Sequence, residues 1–520
     1  MRKVPVITAD QAAAMIPDNC TITSSGFVAS CMAEALTKAV EKRFLETGSP
    51  KNLTLVYAAA QGNRDGSGAD HFAHEGLIKR VVGGHYNMAP KIGEMILSGK
   101  IEGYNFPQGT ISQWFRDVAG HKPGTITHVG MGTFADPRVE GGKLNDITKE
   151  DLVEVVNILG EEKLLYKAFP IDFALIRGTY ADETGNITVE KEVASTEVTA
   201  IAQAVKNSGG KVIVQVEEVK EAGALDPKLV KVPGIFVDAV VVREDPLDHE
   251  QCRTCEWDGS MSGQFRANLE VDASHIAPLD AKKIIARRGA LELQEGSVVN
   301  LGIGAPEFVA TVANEEGIGD YMTMTVEAGA VGGIPQGGPK FGGSVNPDSI
   351  LDQNVLFDFY DGGGIDNAYL GLAEADSHGN INVSKFGPRL AGCGGFINIT
   401  QNAKRVFFCG TFTAGGLKTE CVDGKLVITQ EGKNIKLLKD VEQITFSGDY
   451  ARKVGQPVMY ITERAVFELK EDGMHLTEVA PGIDIQTQIL DLMDFTPIID
   501  GEPKLMDERI FREELMGLSK

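Results

Sequence analysis

The chain has no long apolar run and no recognisable nucleotide-binding loop. None of its apolar stretches approaches the roughly 18 residues that a membrane span requires. The opening Met1-Arg-Lys-Val-Pro5 lacks the apolar core of a signal peptide. A GxGxxG followed by an acidic residue is missing, as is a Walker A sequence. We therefore expect neither a membrane partner nor dinucleotide binding.

Positive charge is scarce. The 520 residues include 50 Lys and Arg against 73 Asp and Glu, which gives a formal net charge of −23. Phosphate backbones are bound by basic patches, so nucleic acid is not an expected partner. Any anionic ligand must be held by local groups acting against the overall field.

Cysteines are few, and their positions do not suggest a disulfide framework. The seven cysteines are scattered and odd in number, which favours a reducing cytoplasm. Cys252-Arg-Thr-Cys255 is a single CxxC, and without a second pair it is weak evidence for zinc. We expect no metal.

What is present is an ordinary globular composition and an internal repeat. The length exceeds that of one core, so two to four domains are expected. Residues 172–189 resemble residues 366–383 at an offset of 194 without a gap, and the same offset relates 211–216 to 405–410. Each long copy reads as a buried strand, an Asp-x-x-Gly-Asn turn and a second strand. Two related halves are predicted.

Helix and strand patterns alternate within these halves. A helical face at Ala33, Leu36, Val40 and Phe44 is followed by the strand pattern of residues 53–57. The helical residues 195–205 likewise precede a strand at Val212. Such alternation favours mostly parallel sheets covered by helices, so the predicted fold class is α/β, with two related open α/β halves fused in one chain.

The domain prediction follows the repeat. We expect an N-terminal α/β domain over 1–244, a linker over 245–280 that lacks periodicity, and a C-terminal α/β domain over 281–520. A site at the junction of the two halves is the default expectation.

Glu327 is the most informative single residue. It ends the strand-like residues 321–326 and precedes the glycine-rich residues 328–338. Ligands of open α/β sheets bind outside the carboxyl ends of strands, and glycines permit close backbone approach. The alternative is an exposed acidic residue at a strand end, since most glutamates are exposed.

Gly302-Ile-Gly304-Ala-Pro306 is a second glycine turn, between a strand and the helical residues 307–313. It has the form of an anion site at a helix N-terminus, but it is equally consistent with a simple turn. Both interpretations stay open at this point.

Four motifs in order give the chain a family resemblance. They are residues 327–335 (EAGAVGGIP), 300–304 (NLGIG), 106–110 (FPQGT) and 392–396 (GCGGF). Together they resemble the family I coenzyme A transferases, over essentially the whole chain, and most closely the propionate (acetate, short-chain acyl) CoA-transferases of fermentative anaerobes. The resemblance implies the CoA-transferase fold and a ping-pong exchange of coenzyme A between short-chain carboxylic acids. In the two-subunit and mammalian oxoacid enzymes Glu-Asn-Gly stands where this chain has Glu327-Ala-Gly, which points to the short-chain branch.

The resemblance also implies a role for each site residue. Glu327 corresponds to the nucleophile that forms an acyl anhydride and then a glutamyl-CoA thioester. Gln108, through its amide, and Gly395, through its backbone N–H, correspond to the oxyanion hole. Without the family, Gln108 reads as a turn residue and Gly395 as tight backbone.

Coenzyme A contacts are assigned to the glycine loops. The candidates are Gly332, Gly333, Gly394, Gly415, Gly416, Asn300, Gly302 and Gly304. Lys385 and Arg389 are possible phosphate partners, although a solvated basic face explains them equally well. Coenzyme A enters as a co-substrate, and no tightly bound cofactor is expected.

The chemistry needs no general base. An ordinary glutamate, with a pKa of about 4.3, is ionised at neutral pH and can attack directly. We therefore expect His71, His74 and the other histidines to be structural or peripheral.

Two other functions remain to be weighed. A CoA thioesterase on the same fold would let water intercept the intermediate, and a non-catalytic ligand-sensing regulator would form no covalent adduct. A regulator usually carries a DNA-binding appendage, and no helix-turn-helix pattern stands out. The expected partners are acyl-CoA and short-chain carboxylic acids, in a cytoplasmic homo-oligomer for which a tetramer is possible. The preferred acid, among acetate, propionate, lactate, acrylate and butyrate, is left open.

Overall fold

The computed structural model describes residues 3–268 and 276–519. Contacts between Cα atoms divide the chain into two compact units. The first unit contains Met1–Ala267, Val326–Phe359 and Lys385–Asn398, and the second contains Asn268–Thr325, Tyr360–Ser384 and Ile399–Lys520.

These units differ from the domains expected along the chain, 1–244 and 281–520. Two segments of the second half, Val326–Phe359 and Lys385–Asn398, belong to the first unit because their contacts lie there. The segment that carries Glu327 is therefore part of the first unit.

The first unit is built on a seven-stranded sheet. Every neighbouring pair in it is parallel. In spatial order the strands are Ala239–Val242, Lys211–Val216, Phe173–Arg177, Thr21–Ser24, Leu53–Tyr57, Ile78–Gly83 and Glu102–Asn105. Strands such as Leu53–Tyr57 are buried along their whole length, as expected for a parallel sheet between layers of helices.

The first unit also contains α-helices and short 3-10 helices. The α-helices that begin in the first unit are Ala9–Ala14, Glu34–Thr47, Pro90–Leu97, Gln108–Ala119, Val198–Asn207, Gln353–Asp361 and Phe396–Asn402. Its 3-10 helices are Gly68–Phe72, Gly234–Phe236, Pro246–His249 and Gly338–Lys340. The helix Glu34–Thr47 ends at Gly48, which takes the left-handed conformation that closes a helix.

Smaller sheets complete the first unit. Three strands, Gly124–Thr127, Glu161–Lys167 and Val153–Ile158, form one, and Glu218–Lys220, Tyr180–Asp182, Ile187–Thr188 and Val230–Val232 form another. The two-stranded ladders are Ala330–Val331 with Ser349–Ile350, Ile334–Pro335 with Ser344–Val345, and Lys385–Phe386 with Arg389–Leu390.

The second unit has an eight-stranded mixed sheet. Its strands in order are Met322–Met324, Ser297–Leu301, Asn367–Gly371, Arg405–Cys409, Val458–Ile461, Ala465–Lys470, Gly473–Val479 and Lys504–Leu505. The first five are mutually parallel, and antiparallel pairs follow from Val458–Ile461 to Gly473–Val479.

The remaining elements of the second unit flank this sheet. The α-helices are Ala281–Ala290, Phe308–Glu315, Gly448–Val454 and Ile485–Gln488, and the 3-10 helices are Gly319–Tyr321, Leu490–Leu492 and Glu508–Phe511. Ile381–Asn382, Glu374–Asp376 and Leu437–Leu438 form a small sheet, and the two-stranded ladders are Thr413–Ala414 with Asn434–Ile435 and Lys418–Val422 with Lys425–Gln430.

The predicted duplication is confirmed strand by strand. Strands Phe173–Arg177 and Asn367–Gly371 stand at the expected offset, and each is followed by an antiparallel hairpin. In both hairpin turns the glycine, Gly185 or Gly379, has a positive φ (87° and 80°), and the asparagine that follows it directly precedes the returning strand.

The expected linker 245–280 is not a separate connector over its first part. His249, Cys252 and Met261 are buried, so Asp245–Ala267 packs into the first unit despite its lack of periodicity. Residues 269–275 lie outside the described residues. A search of the described ranges finds no helix long and apolar enough to cross a membrane.

Candidate active site

Glu327 lies in a tight turn of the first unit. Val326 donates its N–H to the carbonyl of Ala330 at 2.9 Å, and Gly329 donates to the carbonyl of Val326 at 2.9 Å. Gly329 has a φ of +137°, and a Cβ placed on it would lie 2.1 Å from the carbonyl oxygen of Leu351. The glycine is therefore required both by the backbone conformation and by the approach of Leu351.

Hydrophobic packing anchors the two sides of this turn. Val326, Ala328 and Ala330 are buried in one cluster of the first unit. The other buried members of this cluster are Phe27, Cys31, Ala59, Val193, Ala194, Cys252 and Met261. Since alternate residues enter the core, Glu327 is presented away from it.

Glu327 is half-buried, so the alternative interpretation as an exposed acidic residue at a strand end is wrong. Burial raises its pKa above the ordinary value, and its own backbone amide opposes the shift. No other residue in the described ranges forms a hydrogen bond or ion pair with this carboxylate. In its ionised form, this partly desolvated carboxyl group can act as a nucleophile.

Gln108 begins the helix Gln108–Ala119, just beyond the carboxyl end of the strand Glu102–Asn105. Its side chain is 3% exposed. Its backbone N–H donates to the carbonyl of Gly394 at 2.9 Å, and its Nε2 donates to Oε1 of Gln353 at 3.2 Å. The side-chain amide of Gln108 is thus ordered from two sides.

The loop before the helix Phe396–Asn402 lies against Gln108. Gly394 donates its N–H to the carbonyl of Gly84 at 2.7 Å, and a Cβ placed on Gly394 would lie 3.7 Å from Oε1 of Gln108. Gly395 follows and is buried. Within the part of the chain that the structure describes, its N–H has no hydrogen-bond acceptor. An unpaired N–H beside a side-chain amide can stabilise a developing oxyanion.

Short hydrogen-bonded steps connect these residues to the Glu327 turn. Leu351 donates its N–H to the carbonyl of Gly329 at 2.9 Å, and Gln353, two residues later, accepts from Gln108. Glu327, Gln108 and Gly395 therefore belong to one compact unit although they are far apart in sequence.

His85 is a neighbour of the loop that the sequence interpretation missed. Its ring Cδ2 lies 3.5 Å from the Cβ position of Gly394. Burial, with smaller contributions from Arg64 and Arg389, lowers its pKa to about 4, so its imidazole is neutral at physiological pH. The signal in the sequence was Gly83-Gly84-His85 at the end of a strand, the same strand-to-glycine pattern that singled out Glu327.

Gln353 and Glu197 were also missed. Gln353 donates its Nε2–H to Oε2 of Glu197 at 2.8 Å. Burial, followed by the charge of Asp352, raises the pKa of Glu197 to about 8. Nothing in the sequence marks these residues, because Gln353 stands 245 positions and Glu197 stands 89 positions from Gln108, and the fold alone brings the three into one hydrogen-bonded series.

The glycines expected to contact coenzyme A fall into both units. Gly332, Gly333 and Gly394 are in the first unit. Asn300, Gly302, Gly304, Gly415 and Gly416 are in the second unit. Their contacts with coenzyme A stay predictions.

Two of the second-unit candidates have structural partners. Asn300 donates its Nδ2–H to the carbonyl of Thr325 at 3.1 Å. Gly304 donates its N–H to the Glu307 carboxylate at 3.2 Å. A carboxylate on that N–H favours the simple-turn interpretation of the second glycine loop over an anion site.

The other residues considered from sequence have local roles. His71 contacts Glu34 and Glu41 through its two ring nitrogens, which agrees with a structural histidine. Cys252 and Cys255 are free thiols. Across the described ranges, no group of three or more His, Cys, Asp or Glu is arranged to hold a metal ion.

Fold and site together are those of an α/β protein equipped for nucleophilic attack by a carboxylate. The coenzyme A transferase family model matches residues 6–243. Acetate CoA-transferase YdiF of Escherichia coli K12 is 45% identical over 99% of this chain and 96% of its own length. Caffeate CoA-transferase of Acetobacterium woodii is 47% identical over 98% of each chain. The chain therefore belongs to the coenzyme A transferase family, and it is a CoA-transferase enzyme.

A solved structure agrees with this assignment. The acyl-CoA transferase YdiF of E. coli O157:H7, in a thioester complex with CoA, superposes with a TM-score of 0.92 at 44% identity and covers 99% of this chain and 98% of its own. The predicted family and α/β fold are thus confirmed.

Proposed function

We propose that this enzyme transfers coenzyme A from a short-chain acyl-CoA, such as propionyl-CoA or acetyl-CoA, to another short-chain carboxylate. The observation that carries the proposal is the half-buried carboxylate of Glu327 in the same compact unit as the Gln108 amide and the N–H of Gly395, where neither the carboxylate nor the N–H has another residue as a partner within the described ranges. The acetate named for one relative and the thioester named for the related structure support it.

The first half-reaction begins with attack by a Glu327 oxygen on the thioester carbonyl carbon. A C–O bond forms, the C–S bond breaks, and coenzyme A leaves as a thiolate while the acyl group stays on Glu327 as an anhydride. The thiolate then attacks the glutamyl carbonyl of the anhydride. This step releases the first carboxylate and leaves a glutamyl-CoA thioester, so no net proton is exchanged.

The second half-reaction is the first in reverse with a new acid. The incoming carboxylate attacks the glutamyl thioester, coenzyme A leaves, and the thiolate then takes the acyl group from the mixed anhydride. The new acyl-CoA forms and the Glu327 carboxylate is regenerated. Each attack passes through a tetrahedral oxyanion, for which Gln108 and Gly395 are the proposed donors. One preorganised donor contributes about 2.7–4 kcal/mol to such a step.

Water must be kept from the anhydride and the thioester, because hydrolysis would turn transfer into thioesterase activity. The turn glycines Gly332 and Gly333 are proposed as part of the wall around Glu327. We further propose that the enzyme works in the cytoplasm as a homo-oligomer, such as a tetramer.

The test traps the glutamyl thioester. The enzyme is incubated with propionyl-CoA alone, reduced with borohydride and digested, and the peptide containing Glu327 is examined by mass spectrometry. We expect conversion of the Glu327 carboxyl to an alcohol, with loss of transfer to acetate. Glu327→Gln should give neither the alcohol nor transfer to acetate. Glu75→Gln alters a glutamate with a 69% exposed side chain and should behave as wild type.

Two results would contradict the proposal. An unmodified Glu327 with unchanged activity would remove the covalent mechanism. Release of free coenzyme A at the same rate with and without acetate would identify a thioesterase instead. Glu327→Asp separates transfer from hydrolysis further. Its shorter side chain retracts the nucleophile, so the variant should favour hydrolysis over transfer more than the wild-type enzyme does.

A further inference from the structure

Three buried side chains form a hydrogen-bonded series that ends at Gln108. Glu197 is 1% exposed, Gln353 is fully buried and Gln108 is 3% exposed. Glu197 Oε2 accepts from Nε2 of Gln353 at 2.8 Å, and Oε1 of Gln353 accepts from Nε2 of Gln108 at 3.2 Å. Gln353 therefore uses both ends of its amide between the other two side chains.

The backbone fixes the middle member of this series. Gln353 donates its backbone N–H to the carbonyl of Thr196 at 2.8 Å, and the neighbouring Asp352 forms an ion pair with Lys231 at 2.8 Å. Gln353 is also the first residue of the helix Gln353–Asp361. Its side chain thus starts from a well-defined position between Glu197 and Gln108.

One hydrogen of the Gln108 amide is committed by this arrangement. A glutamine amide carries two N–H donors on Nε2, and the bond to Gln353 uses one of them. The second N–H on the same nitrogen has no acceptor among the residues that the structure describes. We propose that Gln353 and Glu197 are positioning residues, which hold the Gln108 amide so that its second N–H meets the oxygen of the reacting thioester. This inference rests on the proposed function, because it assumes that Gln108 is an oxyanion donor.

The protonation state of Glu197 supports this arrangement. Burial and Asp352 raise its pKa to about 8, so the carboxyl is neutral at pH 7. The charged groups that face it are Asp352 and, through the ion pair, Lys231. Ionisation at higher pH places a negative charge two hydrogen bonds from Gln108 and three from the oxyanion, which opposes formation of the oxyanion.

The physical effect is one of geometry rather than of direct contact. Donors stabilise an oxyanion only when they are already oriented, and a misplacement of about 1 Å costs about 100-fold in rate. Loss of Gln353 frees the amide of Gln108 to rotate and leaves the buried Glu197 without its donor. An oxyanion donor acts on the transition state rather than on the bound substrate, so the expected change is in kcat.

The decisive experiment is a double-mutant cycle on transfer from propionyl-CoA to acetate. Gln353→Met keeps the length of the side chain but removes both hydrogen bonds. We expect it to lower kcat about 10- to 100-fold with KM for propionyl-CoA changed less than about threefold. In the Gln108→Ala background the same substitution should change kcat less than about twofold, because the amide that it orients is already gone.

A matched control lies on the same helix as Gln108. Gln113 is 6% exposed and its Nε2 contacts Asp358 at 3.1 Å, so Gln113→Met removes a comparable amide outside the series. It should leave kcat within about twofold of wild type, and circular dichroism should show that each variant is folded.

Glu197→Gln gives an independent readout if Gln353→Met folds poorly. The amide keeps a neutral acceptor for Gln353, so activity at pH 7 should be retained. Wild-type kcat should fall as the pH rises through about 8, and the variant should lack that fall. A purely structural role for Glu197 would leave the two pH profiles parallel.

The outcomes separate this inference from the proposed function. Equal losses from Gln353→Met in the wild-type and Gln108→Ala backgrounds, or no loss at all, would overturn the positioning role while Glu327 still forms its adduct. Failure of Glu327 to form an adduct would instead remove the proposed function, and the positioning role with it.

Discussion

Replacement of Glu197 by glutamine should change the pH dependence of stability in a calculable way. The Glu197 carboxyl is buried, and its Oε1 has no hydrogen-bond partner in the described part of the chain. Burial and the charge of Asp352 raise its pKa from the ordinary 4.5 to about 8. The neutral form is therefore the one that the folded state accepts.

The sign follows from proton release. Between about pH 4.5 and 8 the folded protein keeps the proton and the unfolded chain loses it, so a rise in pH favours unfolding. The stabilising contribution is complete below about 4.5 and is lost as the pH rises through about 8. The whole shift corresponds to about 5 kcal/mol, and each pH unit within the window to about 1.4 kcal/mol.

Glutamine cannot ionise, so Glu197→Gln abolishes this loss. The new amide also places an N–H where no acceptor is available, which costs about 1–3 kcal/mol at every pH. The change of the free energy of unfolding with pH is therefore more informative than its absolute value. The free energy of unfolding of the variant relative to wild type should increase by about 2 kcal/mol between pH 6 and 8.

The assay can be confined to the unit that holds Glu197. The two tryptophans, Trp114 and Trp257, both belong to the first unit, so urea unfolding followed by tryptophan fluorescence reports on that unit. Glu75→Gln serves as the exposed control and should follow wild type at each pH. Parallel curves for wild type and Glu197→Gln would show that Glu197 ionises normally, and the reasoning would be refuted.

Three further outcomes are expected. Although burial opposes the shift, Arg177 lowers the pKa of Glu192 to about 2, so this carboxylate stabilises the fold above about pH 4.5 and its contribution is lost as the pH falls towards 2. Arg177→Met should therefore lower the free energy of unfolding in urea by about 3–5 kcal/mol at pH 7. A loss below about 1 kcal/mol would contradict the buried ion pair. Gly329→Ala should lower kcat, and it should lower the free energy of unfolding by about 1–3 kcal/mol, because residue 329 has a positive φ and the new Cβ would clash with the Leu351 carbonyl. Unchanged kinetics would show that the Glu327 turn tolerates a side chain at this position. Burial raises the pKa of the Cys393 thiol, so iodoacetamide should modify it only after denaturation, and mass spectrometry showing rapid labelling of the native protein would be inconsistent with its environment.

Sequence alone determined the fold class because the relevant patterns are local. An apolar run such as residues 53–57 predicts a buried strand, and a glycine such as Gly48 marks the end of a helix. The structure has a strand at the first position and a helix end at the second. The duplication was equally visible, since matching strands keep a constant offset. The strand-to-glycine junction at Glu327 singled out one carboxylate among many.

Tertiary structure decided what surrounds that carboxylate. Which segments enter a compact unit depends on contacts between distant residues, so Val326–Phe359 and Lys385–Asn398 could not be assigned to the first unit from their order in the chain. The same holds for pKa values. Glu197 and His85 are ordinary residues in the sequence, and only burial beside particular neighbours keeps both neutral at pH 7.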